Sequence, residues 1–111
     1  MADKNKIVRA RLIVSGEVQG VGFRMRVRDV AMQEQVRGLV RNRRDGTVEV
    51  FCEAESREQF EKFVERLHHP YQAWPLPEAE PERVEVFLEG EQNYEPAWKA
   101  FDGFEIDSKP A

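Results

Sequence analysis

The chain has 111 residues, 41% hydrophobic and 34% charged, with a net charge of −4; this predicts one domain over 1–111, its core at about 7–107, and no second catalytic lobe. A single cysteine, Cys52, excludes an intrachain disulfide and a cysteine-based zinc site and reads as a buried strand thiol. No apolar run is long enough to span a bilayer and no secretion-signal core follows Met1–Lys6, so no membrane partner is expected and the cytoplasm is the expected compartment.

Val8, Ala10, Leu12 and Val14 alternate with Arg9, Arg11 and Ile13, the period of a half-buried strand. A glycine-bearing loop, Val18-Gln19-Gly20-Val21-Gly22-Phe23-Arg24, follows. Val27, Val30 and Ala31 then recur at helical spacing within Arg24–Gln35, with Gly38 as a break before the next element. Leu39–Asn42, Arg43-Arg44-Asp45-Gly46 and Thr47–Cys52 read as strand, turn and strand, a hairpin with Asn42 near its turn. Ser56 and Gln59 have capping-box spacing, and Phe60, Phe63, Val64 and Leu67 continue as a second amphipathic helix. His68 and His69 at its end read as cap or surface groups. Residues 69–81 carry four prolines and read as a long loop that Tyr71 and Trp74 could pin to the core. Val84, Val86 and Leu88 give a fourth strand, residues 89–102 are irregular, and Gly103–Asp107 can supply a short fifth strand. The β-α-β-β-α-β order predicts a ferredoxin-like α+β sandwich, with an antiparallel four- to five-stranded sheet and two helices on one face.

Charge is unevenly spread. Residues 1–50 hold eleven Lys/Arg against six Asp/Glu, whereas residues 51–111 hold six against fifteen. Arg24, Arg26, Arg28, Arg41, Arg43 and Arg44 could focus a local field for a small anion in an acidic molecule, or form a solvated basic face. Gly20 and Gly22 leave backbone N–H groups approachable at a strand-to-helix junction, where the helix dipole is positive, and Arg24 can add a bidentate fork. An ordinary tight connection with a surface arginine accounts for the same residues. Met25 stands where a dinucleotide fingerprint needs its third glycine, and no Gly-Lys-Ser/Thr ending is present. The topology can bring Arg24 and Asn42 to one edge of the sheet. These segments offer no Ser-His or Cys-His pair, no paired carboxylates and no metal ligands at useful spacing, so the chemistry should need little acid–base help.

Gly16-Glu17-Val18-Gln19-Gly20-Val21-Gly22-Phe23-Arg24, Gly38-Leu39-Val40-Arg41-Asn42 and Asp45-Gly46-Thr47-Val48-Glu49 together resemble the acylphosphatase family, in order through about residues 8–107. The resemblance implies the ferredoxin-like fold and hydrolysis of acyl phosphates to carboxylate and inorganic phosphate, without metal or cofactor. It implies Arg24 as the phosphate-binding arginine and Asn42 as the residue that positions the attacking water. Backbone amides of Gln19, Gly20, Val21, Gly22 and Phe23 would cradle phosphate oxygens, with Thr47 in a supporting role. The expected partner is a small acyl phosphate, with inorganic phosphate as product, no nucleic acid, and a monomeric protein. Leu39 stands where the family often has tryptophan, and the 69–81 and 89–102 segments look longer than in many members. Arg26 and Arg28 have no transferable role and read as surface helix residues. Tyr71, Trp74, Tyr94 and Trp98 could rim the site or anchor loops. Rival readings are an RNA- or anion-binding module using an exposed sheet face, a regulatory protein without significant catalysis, and the acylphosphatase-like part of a carbamoyl-transfer maturation protein; the last would carry cysteine-rich zinc segments that this sequence lacks.

Overall fold

The computed structural model describes residues 6–20, 22–68 and 80–111. Its elements are β1 (Val8–Glu17), α1 (Phe23–Glu34), β2 (Arg37–Asn42), β3 (Val48–Ala54), α2 (Arg57–His68), β4 (Glu80–Leu88) and β5 (Phe104–Ile106). The sheet runs β4-β1-β3-β2-β5. Neighbours among the first four strands pair antiparallel, as the sequence predicts, and the short fifth pairs parallel with β2, making the sheet mixed.

Alternation in β1 sorts its side chains between two faces. Leu12 lies opposite Val50, which lies opposite Val40, and all three are fully buried. They join one hydrophobic core with Phe23, Val27 and Val30 of α1 and Phe60, Phe63 and Leu67 of α2. Cys52 is buried there too, and burial pushes its thiol well above the ordinary cysteine range.

The opposite face is covered as well. Phe51 packs against Phe101 with ring centroids 5.8 Å apart, Arg11 Nη1 donates to Asn93 O at 3.0 Å, and the Trp98 ring lies 3.9 Å from the Arg41 guanidinium carbon. The irregular 89–102 segment therefore contacts this face, and Trp98, whose Nε1 donates to Asp107 Oδ2 at 2.9 Å, anchors it. Beneath it Glu49, only 3% exposed, accepts from Arg11 Nε at 2.7 Å and Arg41 Nε at 2.8 Å.

α1 ends as the spacing predicts, at Gln35, which adopts a left-handed φ of 61° while Val36 N donates to Ala31 O at 2.8 Å. Two boundaries beyond it differ from the sequence expectation, which made Gly38 the break before the next element. Gly38 instead lies inside β2, where a Cβ would sit 1.9 Å from the carbonyl oxygen of Phe51. The fourth strand begins at Glu80, so Pro81 is a strand residue opposite Gly16, at a register shift in an edge pairing where a missing N–H is tolerated. Residues 69–79 of the 69–81 segment that reads as a long loop, with His69, Tyr71 and Trp74, lie outside the described residues.

The second helix starts as its spacing predicts. Ser56 Oγ accepts from Gln59 N at 3.1 Å, while Gln59 Oε1 accepts from Glu55 N at 2.6 Å. Gln59 Nε2 also donates to Glu34 O and Gln35 O, satisfying carbonyls at the end of α1 and joining the two helices.

Candidate active site

β1 delivers the glycine loop to one edge of the sheet. Its pairing with β4 shifts between Ser15 and Gly16, after which Val18 is buried and its N–H donates to Gly16 O at 2.9 Å. Phe23, at the start of α1, is the next buried anchor. Between them Gly20 and Gly22 take φ of 75° and 80°, a conformation glycine adopts without the Cβ penalty. Gly22 is the N-cap of α1, with no side-chain cap, and the first turn contains no acidic residue. Among the described residues the N–H groups of Gln19, Gly20, Gly22 and Phe23 donate to no backbone carbonyl. Unpaired amides, an uncapped helix start and an uncompensated dipole together suit an anion. Val21 lies outside the described residues.

Arg24 is the second residue of α1, half-buried, with no ion-pair partner among the described residues. The other arginines noted in the sequence are placed differently. Arg41 is held by Glu49 and Arg43 by Asp45 at 3.2 Å. Arg26 is a buried residue, 5% exposed, rather than the expected surface one; burial lowers its pKa, nearby Arg66 adds to this, and Asp29 opposes it. A 410 Å³ cavity beside the hairpin is lined by Arg11, Arg41, Arg43 and Arg44 together with three carboxylates, those of Asp45, Glu49 and Glu95. Its charges are largely matched, and its lining contains neither Arg24 nor Asn42.

Asn42 ends β2. It is in register with Val48, which is in register with Val14, so Asn42 stands two strand spacings, about 10 Å, from the strand that feeds the loop. It shares the helix-side face with Val48 and Val14. Its Oδ1 is buried and accepts no hydrogen bond from the described residues, a costly condition unless a ligand or water completes it.

Gln19 bridges the loop to this hairpin, which its sequence position did not suggest. Its Nε2 donates to Arg43 O at 2.7 Å and to Thr47 O at 2.8 Å. Thr47 itself serves the turn: its N–H and Oγ1 both bond to Asp45 Oδ1, at 2.9 and 2.6 Å, and these bonds hold the Asp45 carboxyl below its ordinary pKa. The structure thus ties Gln19 to the hairpin that carries Asn42 and Thr47, and places Gly20, Gly22, Phe23 and Arg24 on the same loop and helix start. Among the described residues no group of three or more His, Cys, Asp or Glu is disposed to hold a metal, and no helix is long and apolar enough to cross a membrane.

Two helices on a mixed five-stranded sheet, with a loop of unpaired amides at the edge where β1 and β2 both end, define an α+β protein of the ferredoxin-like class. Comparison with known proteins gives the family. The acylphosphatase family model matches residues 10–106, and the chain belongs to that family; its activity is that of a hydrolase acting on acyl phosphates. An acylphosphatase of Chloroflexus aurantiacus is 43% identical over 84 residues, covering 75% of this chain and 84% of the relative. The crystal structure of acylphosphatase from Bacillus subtilis superposes with a TM-score of 0.71 at 29% identity, over 90% of this chain and 98% of the other. An acylphosphatase structure from Coxiella burnetii gives 0.72 at 26% identity, over 96% and 100%.

Proposed function

We propose that Arg24 and the amides of Gln19, Gly20, Val21, Gly22 and Phe23 bind the phosphoryl group of an acyl phosphate while Asn42 aims the attacking water at phosphorus. The buried Asn42 Oδ1, without a partner among the described residues and on a hairpin bonded directly to the loop, carries this reading. Water forms the new P–O bond as the bond from phosphorus to the acyl oxygen breaks, and the water's proton passes to a phosphate oxygen. The leaving carboxylate has a conjugate acid of pKa about 4, so it departs unprotonated and no general acid is needed. Catalysis then rests on positioning and on charge stabilisation by Arg24 and the loop amides. Thr47 supports the site by shaping the turn and by receiving Gln19. The reaction calls for no metal or cofactor.

We further propose that residues 1–111 act as one domain, as a monomer in the cytoplasm, with no nucleic-acid partner. Burial of Phe51 under the 89–102 segment counts against the RNA-binding reading, which needs stacking aromatics on an accessible sheet face. Benzoyl phosphate hydrolysis in excess chelator, with inorganic phosphate as competitor, tests the function. Turnover without metal and competitive inhibition by phosphate are expected. A requirement for Mg²⁺, or indifference to phosphate, overturns the mechanism.

A further inference from the structure

We propose that Gln19 is a positioning residue whose side-chain carboxamide clamps the phosphate-binding loop to the hairpin carrying Asn42 and so fixes where the water stands relative to phosphorus. The inference rests on the roles proposed above for the loop and Asn42, and it concerns how the two halves of the site are held in register.

The bonding is specific to a carboxamide of this length. Gln19 is half-buried, and its NH₂ group spends both hydrogens on main-chain carbonyls, Arg43 O at 2.7 Å and Thr47 O at 2.8 Å. Two carbonyl acceptors fix the orientation of the amide, since its oxygen could not face them. The two carbonyls are the last rungs of the hairpin: Arg43 N donates to Thr47 O at 2.8 Å, and Arg43 directly follows Asn42. The clamp therefore lands one residue from the proposed water-orienting side chain.

The loop needs such a fixture. Gly20 and Gly22 have left-handed backbones, and apart from its chain neighbours no heavy atom of the described residues lies within 4 Å of where a Gly20 Cβ would be. Glycines hold little conformational preference of their own. Between the buried side chains of Val18 and Phe23, the Gln19 carboxamide is the only side chain among the described residues of the loop with a hydrogen bond. Arg24 reaches phosphate from α1, whereas Asn42 approaches from β2. A shift of loop against hairpin moves phosphorus relative to the water without removing a phosphate ligand, and a displacement of about 1 Å can cost on the order of 100-fold in rate.

Gln19→Met keeps the length and removes both donors. In the full chain it is expected to lower kcat for benzoyl phosphate at least tenfold while the inhibition constant of inorganic phosphate changes less than threefold. In an Asn42→Ala background the same change should cost less than threefold in kcat, because the element it positions is gone. Gln19→Glu opposes a carboxylate to two carbonyls; its kcat should fall further at pH 7 and recover relative to the parent chain as the carboxyl is protonated. Far-UV circular dichroism of each variant confirms the fold. An unchanged kcat in Gln19→Met, equal losses of kcat and phosphate affinity, or a Gln19→Glu profile parallel to the parent's overturns the clamp. The same factor in both backgrounds overturns it too, provided Asn42→Ala alone is crippled. Normal turnover by Asn42→Ala alone instead overturns the role given to Asn42, and the clamp's target with it.

Discussion

Glu49→Gln is expected to destabilise the chain strongly through the sheet face away from the helices. Glu49 is 3% exposed and is held by two guanidiniums whose side chains are 15% and 20% exposed, Arg11 and Arg41. Burial alone would raise its pKa, but the hydrogen bonds and charges of Arg11 and Arg41 prevail and hold the carboxyl below its ordinary value. Glutamine keeps the shape, loses the charge and turns an NH₂ group toward one of the donors. Removing one partner of a buried ion pair costs about 3–5 kcal/mol. Partial solvent access to both arginines argues for the lower end, about 3 kcal/mol. At about 4–8 °C per kcal/mol for a domain near this size, the midpoint should drop by roughly 12–24 °C. The pH dependence has a definite sign: a carboxyl whose folded pKa is depressed contributes stability that is full above its unfolded pKa and is lost as pH falls through the folded one. Urea unfolding at pH 7 and at several values below pH 4.5 should show a large gap between parent and variant that narrows in acid. A loss under about 1 kcal/mol at pH 7, or a gap that does not change with pH, would refute the reasoning.

Other perturbations have outcomes as definite. Gly38→Ala places a Cβ 1.9 Å from Phe51 O at a φ of 153°; main-chain strain and overpacking should outweigh the gain from restricting the unfolded chain, for a net loss of about 2–4 kcal/mol by urea titration. Ser56→Ala removes the bond from Gln59 N to Ser56 Oγ and should cost about 1 kcal/mol in the same assay, with kcat unchanged. Cys52, fully buried and with its thiol pKa pushed up, should react with a thiol reagent only in urea, and rapid labelling of the folded chain would contradict its placement.

Elements whose period matches their environment are legible from residues alone. The β1 alternation, the Phe60-Phe63-Leu67 stripe and the Asp-Gly turn all reappear in the structure because one local pattern determines each. Asn42 and Arg24 reach one edge of the sheet because β1 and β2 both pair antiparallel with β3 and so end on the same side. What escapes notice depends on partners distant in sequence. Glu49 reads as the polar position of an alternating strand, yet it is buried because Arg11, Arg41 and the 89–102 segment close over it. Trp98 and Phe101 follow no period, so nothing local ties them to Arg41 and Phe51. Gly38 resembles a break because its reason, the approach of the Phe51 carbonyl, lies on another strand. Gln19 has no local signal either: its two acceptors are main-chain carbonyls 24 and 28 residues further on.

The central claim is a division of labour, with the loop and Arg24 holding phosphate and Asn42 directing water. Measuring kcat together with the inhibition constant of inorganic phosphate, in Arg24→Ala and Asn42→Ala side by side with the parent chain, tests it most directly. The account predicts that Arg24→Ala weakens phosphate at least tenfold and loses turnover. Asn42→Ala should keep phosphate affinity within about threefold while kcat falls on the order of 100-fold or more. Near-parental hydrolysis by either variant, or loss of phosphate binding in Asn42→Ala to the same extent as in Arg24→Ala, would contradict it.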